Sequence, residues 1–143
     1  MPANHPLKST IKAGSVYYYN DPDLNAPYSH YFIVLNVDPS KDRVIFLAYS
    51  SHKVSKVQDR RKGFLRETLV EISPNQYSEF SKKSIIDCNV ILEKSIDMLT
   101  NKFDQGKLKI KPLMNLRLVH KLRKGAIRSS LVAEETKKLL QID

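Results

Sequence analysis

Two apolar runs, "HYFIVLNV" at 30–37 and "RVIFLAYS" at 43–50, constrain this chain most. Each is apolar on both alternating faces, so a sheet built from them needs cover on both sides. The connector "DPSKD" reads as a tight turn, with Pro39 setting φ. The two runs therefore pair as an antiparallel hairpin. "SVYYYN" (15–20), "ETLVEI" (67–72) and "SIIDCNVILEK" (84–94) are rich in β-formers and supply further strands.

The period changes in the second half. Ser73, Pro74 and Gln76 form an N-cap, a first-turn proline and a capping-box partner, which predicts a short helix over 73–83. Leu113, Leu116, Val119 and Leu122 recur at helical spacing over 111–125, with a stop at Gly125. "SSLVAEETKKLL" (129–140) starts on serine caps and runs from acidic to basic, the order a helix dipole favours. The fold class is mainly β with helices: a small β-barrel or curled sheet, peripheral helices, and a C-terminal helix outside. One domain spans 1–143. Residues 1–12 read as a flexible tail, 13–94 as the strands with a short helix, and 95–143 as a helical part.

A chain of 143 residues buries enough surface to fold without disulfides or a structural metal. Its one cysteine, Cys88, excludes an intramolecular disulfide, suits a reduced compartment and reads as a core residue. No apolar run reaches the roughly 20 residues of a membrane helix, and the N-terminus lacks the apolar segment of a signal peptide. The expected location is the cytoplasm, with no membrane partner. The net charge of +9 favours a polyanion. Nucleic acid comes first; an acidic membrane or acidic peptide comes second.

Glycine-rich phosphate loops, the nucleophile-elbow motif and zinc-ligand spacings are all absent. Asp21 and Asp23 in "NDPDLN" read as turn formers, so no metal and no cofactor is expected. What remains is polar and gathers around the hairpin. His30 begins one strand; Ser50, Ser51 and His52 end the next. With the turn near 38–42, residue 30 faces roughly residue 50, and a one-residue slip would change the pairing. "HKVSKVQDRRKGFLR" (52–66) follows as a basic loop, with Lys53, Lys56, Arg60, Arg61, Lys62 and Arg66 and only Asp59 opposing. An imidazole moves protons near neutral pH. Hydroxyls orient phosphates, and Lys and Arg offset the charge that grows in phosphoryl transfer. RNA brings its own nucleophile, the 2′-OH, so these groups suffice for a metal-free ribonuclease. The bland alternative is a strand-end histidine, turn serines and a solvated loop. The later run from Lys107 through Lys109, Lys111, Arg117, Lys121, Arg123 and Lys124 to Arg128 reads as the solvated face of a helix, with His120 also on the surface.

The order of these segments resembles the PemK/MazF toxin family, endoribonucleases of toxin–antitoxin pairs with an SH3-like β-barrel. "AGSVYYY" is similar to the family's opening strand, "HYFIVLNV" to its second, and "VIFLAYSS" to the strand ending in a Thr-Ser type pair. "KGFLRETLVEI", "SIIDCNVILEKSIDML" and "GAIRSSLVAEETKKLL" follow in the family's order, so the likeness spans roughly 13–140. It implies an SH3-like barrel. The family's catalytic Arg falls on His30, and its catalytic Thr or Ser on Ser50, with Ser51 beside it. Ser15 stands where the family has Asp, His30-Tyr31 where it has Arg-Pro, and the segment before the last helix is longer than in a compact member. The resemblance implies cleavage of single-stranded RNA without metal, a homodimer, and a small acidic antitoxin as partner. His30 and Ser50 would be catalytic; Ser51, Lys53, Lys56, Arg60, Arg61 and Lys62 would bind RNA. The alternative on the same fold is a non-catalytic module that binds nucleic acid or an acidic peptide.

Overall fold

The computed structural model describes residues 5–141. Strands β1 (Val16–Tyr19), β2 (His30–Val34) and β3 (Ile45–Ser51) form an antiparallel meander. Strands β4 (Leu69–Ile72), β5 (Ser84–Asp87), β6 (Leu92–Lys94) and β7 (Leu108–Lys111) complete a seven-stranded antiparallel sheet. Its path runs β4-β5-β3-β2-β1-β7, with β6 paired to the first half of β3. The mainly-β class with helices holds. The expected barrel does not form, because β4 and β7 end the strand path and the sheet stays open.

Both sheet faces are covered, as the doubly apolar strands require. On one face Val16, Ile33, Phe46 and Ala48 pack under helix α4 (Leu116–Arg128) through Leu118, Val119, Leu122 and Ala126. On the other, Tyr17, Tyr19, Phe32, Val34, Ile45 and Leu47 pack with Leu99 of helix α3 (Ile96–Asp104). Residues 1–4 of the expected tail lie outside the described residues. Residues 5–12 lie against this second layer: Leu7 is fully buried, and His5 Nε2 sits 2.8 Å from Asp104 Oδ1.

Several local expectations are corrected. The connector 38–42 is no tight turn. It is one helical turn, α1 (Pro39–Asp42), closed by Arg43 in the left-handed region at φ 66°. Segment 52–66 is not all loop; it holds helix α2 (Val54–Arg60), anchored by buried Val57. Segment 73–83 makes turns and no helix. The capping contact forms, with the Ser73 N–H donating to Gln76 Oε1 at 2.9 Å. Buried Tyr77 and Phe80 then hold the chain to the core, and a single turn does not repay helix nucleation. The run 84–94 splits into β5 and β6, because Asp87 folds its own backbone over by accepting the Asn89 N–H at 3.1 Å. β7 is a strand inside the part expected to be helical. Gly125 does not stop α4. It lies within the helix, where a Cβ would come 2.6 Å from the Glu67 carbonyl oxygen and 2.9 Å from Cys88 Sγ. The last helix, α5 (Glu134–Leu140), starts five residues later than its serines suggested. Ser129 instead closes α4, and its hydroxyl donates to Asn89 Oδ1 at 2.6 Å.

Candidate functional site

The hairpin ends build the site. Phe32 lies opposite Tyr49, Ile33 opposite Ala48, and Val34 opposite Leu47. Continuing that register brings Ser51, not Ser50, opposite His30. The slip is one residue, and its cause is the helical turn at 39–42 in place of a tight turn. Ser51 therefore shares the sheet face of His30, while Ser50 belongs to the other face. Beyond the strand pairing the distinction fades, because both serines, His30 and His52 line one cleft of about 380 Å³.

His30 opens β2 beside Tyr19 of β1. Its ring lies among aromatics: Tyr28 at 5.0 Å, Tyr49 at 5.5 Å and Phe32 at 6.3 Å between centroids. Nδ1 is buried and has no hydrogen-bond partner among the described residues. Burial in this nest, reinforced by the nearby charges of His52 and Lys53, holds its pKa below the ordinary histidine value. The ring is therefore a neutral imidazole at pH 7, the form that accepts a proton. With Nδ1 enclosed, Nε2 is the nitrogen left to meet a ligand.

Ser51 ends β3 and turns the chain. Its Oγ accepts the Lys53 N–H at 3.1 Å, which sets up the start of α2. From there helical spacing takes over. Lys53, Lys56 and Arg60 stand at i, i+3 and i+7, so they share one face. Val57 lies on the same side, buried against β5 at the base of these cations. The three cations line a second cleft of about 240 Å³, together with Tyr28, His30, Tyr49 and Ser51. Lys53 Nζ lies 5.7 Å from the Tyr28 ring centroid, within cation–π reach. His30 thus stands on the wall between two clefts, one rich in hydroxyls and one basic and aromatic.

The other two expected RNA contacts lie elsewhere. Arg61 turns inward, and its Nε donates to the buried Asp87 carboxylate at 2.7 Å. Lys62 is exposed and lines neither cleft. Asp21 and Asp23 share Lys94 as counter-ion, and Asp21 also accepts the Tyr19 hydroxyl at 2.8 Å. Burial opposes the Asp21 charge, but these hydrogen bonds outweigh it and leave the carboxyl below its ordinary value. The pair ties the β1–β2 connection to β6. Arg123, expected on a solvated face, is buried; Nη2 donates to the Asn36 carbonyl at 3.1 Å and Nε to that of Leu35. Cys88 is buried and His120 exposed.

Sequence reasoning left out Tyr28 and Tyr49, and named His52 without giving it a role. A usable signal existed for the tyrosines. Tyr28 precedes His30 by two residues and Tyr49 precedes Ser51 by two, the spacing that puts side chains on one face. No protein-family model matches this chain, and neither does a curated protein sequence.

Proposed function

We propose that this protein is a metal-independent endoribonuclease of the toxin type, cutting single-stranded RNA at the ends of the β2–β3 hairpin. The observation that carries the reading is the position of His30 between the hydroxyl-lined cleft and the one holding Lys53, Lys56 and Arg60. A strand laid across that wall meets cations for its phosphates and tyrosine faces for its bases. The neutral His30 takes the 2′-OH proton, and Ser50 and Ser51 orient the scissile phosphate. The products end in 2′,3′-cyclic phosphates. The SH3-like, PemK/MazF-type part of the reading rests on the order of the segments in the sequence. A second copy of the chain and a small acidic antitoxin belong to the same proposal; the exposed Leu113 and Leu116, close in sequence to exposed Lys109, support an acidic, partly apolar partner.

A second reading, binding without cutting, has one observation in its favour. Proton-transferring histidines are commonly oriented through their other nitrogen, and His30 Nδ1 has no such partner among the described residues. Incubation with a mixed single-stranded RNA in EDTA separates the two. Cleavage with cyclic phosphate ends, slowed about 10²–10⁴-fold by His30→Ala, supports the first. Retention of intact RNA supports the second.

A further inference from the structure

The hydroxyl-lined cleft holds a second imidazole with no assigned work. Cleavage by the 2′-OH needs two proton transfers, one from the attacking oxygen and one to the leaving oxygen. Those oxygens lie roughly in line through phosphorus, on opposite sides of it. A single ring held in an aromatic nest serves one side. His30 begins β2 and His52 directly follows β3, so adjacent antiparallel strands deliver the two rings to one cleft from two directions. His52 is exposed and lies outside the strand ladder, where its ring is free to follow the leaving group. Other titratable groups on this wall are less suited. Glu79 is paired with Lys111 at 3.3 Å, and the Tyr31 hydroxyl donates to the Glu79 carbonyl. Histidine is the one side-chain type that ordinarily gains and loses a proton near neutral pH.

Resting on the endoribonuclease reading, we propose that His52 is the general acid of the reaction, the partner of His30 as general base. The O2′–H bond breaks as O2′ bonds to phosphorus, and its proton passes to His30 Nε2. The P–O5′ bond breaks, and protonated His52 gives its proton to O5′. The products are a 2′,3′-cyclic phosphate and a 5′-hydroxyl. Exchange with water returns each imidazole to its starting state, so protons balance over the cycle.

Replacing the bridging 5′ oxygen with sulfur tests this assignment, because a thiolate leaves without needing a proton. The wild-type cut site, mapped on mixed RNA in EDTA, decides where the sulfur goes. On ordinary RNA, His52→Ala should slow cleavage about 10²–10⁴-fold. On the sulfur-bridged RNA the same variant should cut at close to the wild-type rate. His30→Ala should stay slow on both, because the attacking hydroxyl still needs its base. The assignment is overturned if His52→Ala cuts ordinary RNA as fast as wild type, or if the sulfur fails to restore its rate. If wild type cuts neither substrate, the endoribonuclease reading falls first and the general acid falls with it.

Discussion

Helices α2 and α4 are both basic, and they spend their charge in opposite ways. α4 has a full apolar stripe, Leu118, Val119, Leu122 and Ala126, seated on the sheet. One of its cations, Arg123, is drawn inward to satisfy two backbone carbonyls at the end of β2. Arg117, Lys121 and Lys124 face out and line neither hairpin-end cleft. α2 has a single buried anchor, Val57, and its cationic face borders a concave, aromatic wall. Charge alone does not mark an interface. On α4 the apolar stripe turns the remaining cations out to solvent; on α2 the anchor Val57 sits beside the cations, and the neighbouring strands β2, β3 and β5 make that side a cleft. Within the α2 region the same rule separates Arg60, which lines the cleft, from Arg61, which serves Asp87.

Arg61→Ala should have the largest effect, and on stability. It leaves the buried Asp87 carboxylate its Asn89 donors but, as cation, Arg60 at 3.8 Å in place of Arg61 at 2.7 Å. Breaking such a pair costs about 3–5 kcal/mol, read as a lower urea midpoint, while RNA affinity stays close to wild type. Neutralising the cleft cations together, Lys53→Gln, Lys56→Gln and Arg60→Gln, should do the reverse. Three lost phosphate contacts lower the salt slope by about 2 and the affinity about a hundredfold at 0.1 M salt, with the urea midpoint held. An unchanged salt slope would reduce α2 to a solvated helix. Arg123→Met should cost about 2 kcal/mol, since the Leu35 and Asn36 carbonyls lose a buried donor. The smallest effect belongs to Arg117→Gln, Lys121→Gln and Lys124→Gln combined: within about 0.5 kcal/mol in stability, and no loss of RNA affinity. A loss equal to that of the α2 triple would erase the distinction between the helices.

The hairpin was legible because both strands are apolar on both faces, a pattern few other structures satisfy. Its exact pairing was not. "DPSKD" suits a tight turn, yet it closes as a helical turn on Arg43, and that choice moved Ser51 into the place expected for Ser50. α2 was hidden by its own charge. "VSKVQDR" looks solvated until Lys53, Lys56 and Arg60 are placed at helical spacing around Val57. Gly125 carries a local stop signal that tertiary contact overrides, since the helix needs its missing Cβ to approach Cys88. Arg123 could not have been read as buried, because its partners lie nearly ninety residues away and are backbone atoms with no sequence signature. Similarly, Ser73 and Gln76 make their capping contact, but the residues beyond them are claimed by the core.

The histidines offer the most direct test of where RNA lies. Proton NMR follows the ring signals of His30, His52 and His120 across pH, with and without a single-stranded 2′-O-methyl oligonucleotide that cannot be cut. In the free protein His30 should titrate below an ordinary histidine, because its nest disfavours the charged ring. With phosphates bound beside it, its midpoint should rise and the His52 signal should shift, while His120, on the outer side of α4, should not respond. If the oligonucleotide instead moves His120 and leaves His30 and His52 unchanged, RNA lies on α4, and the hairpin-end clefts are not the site.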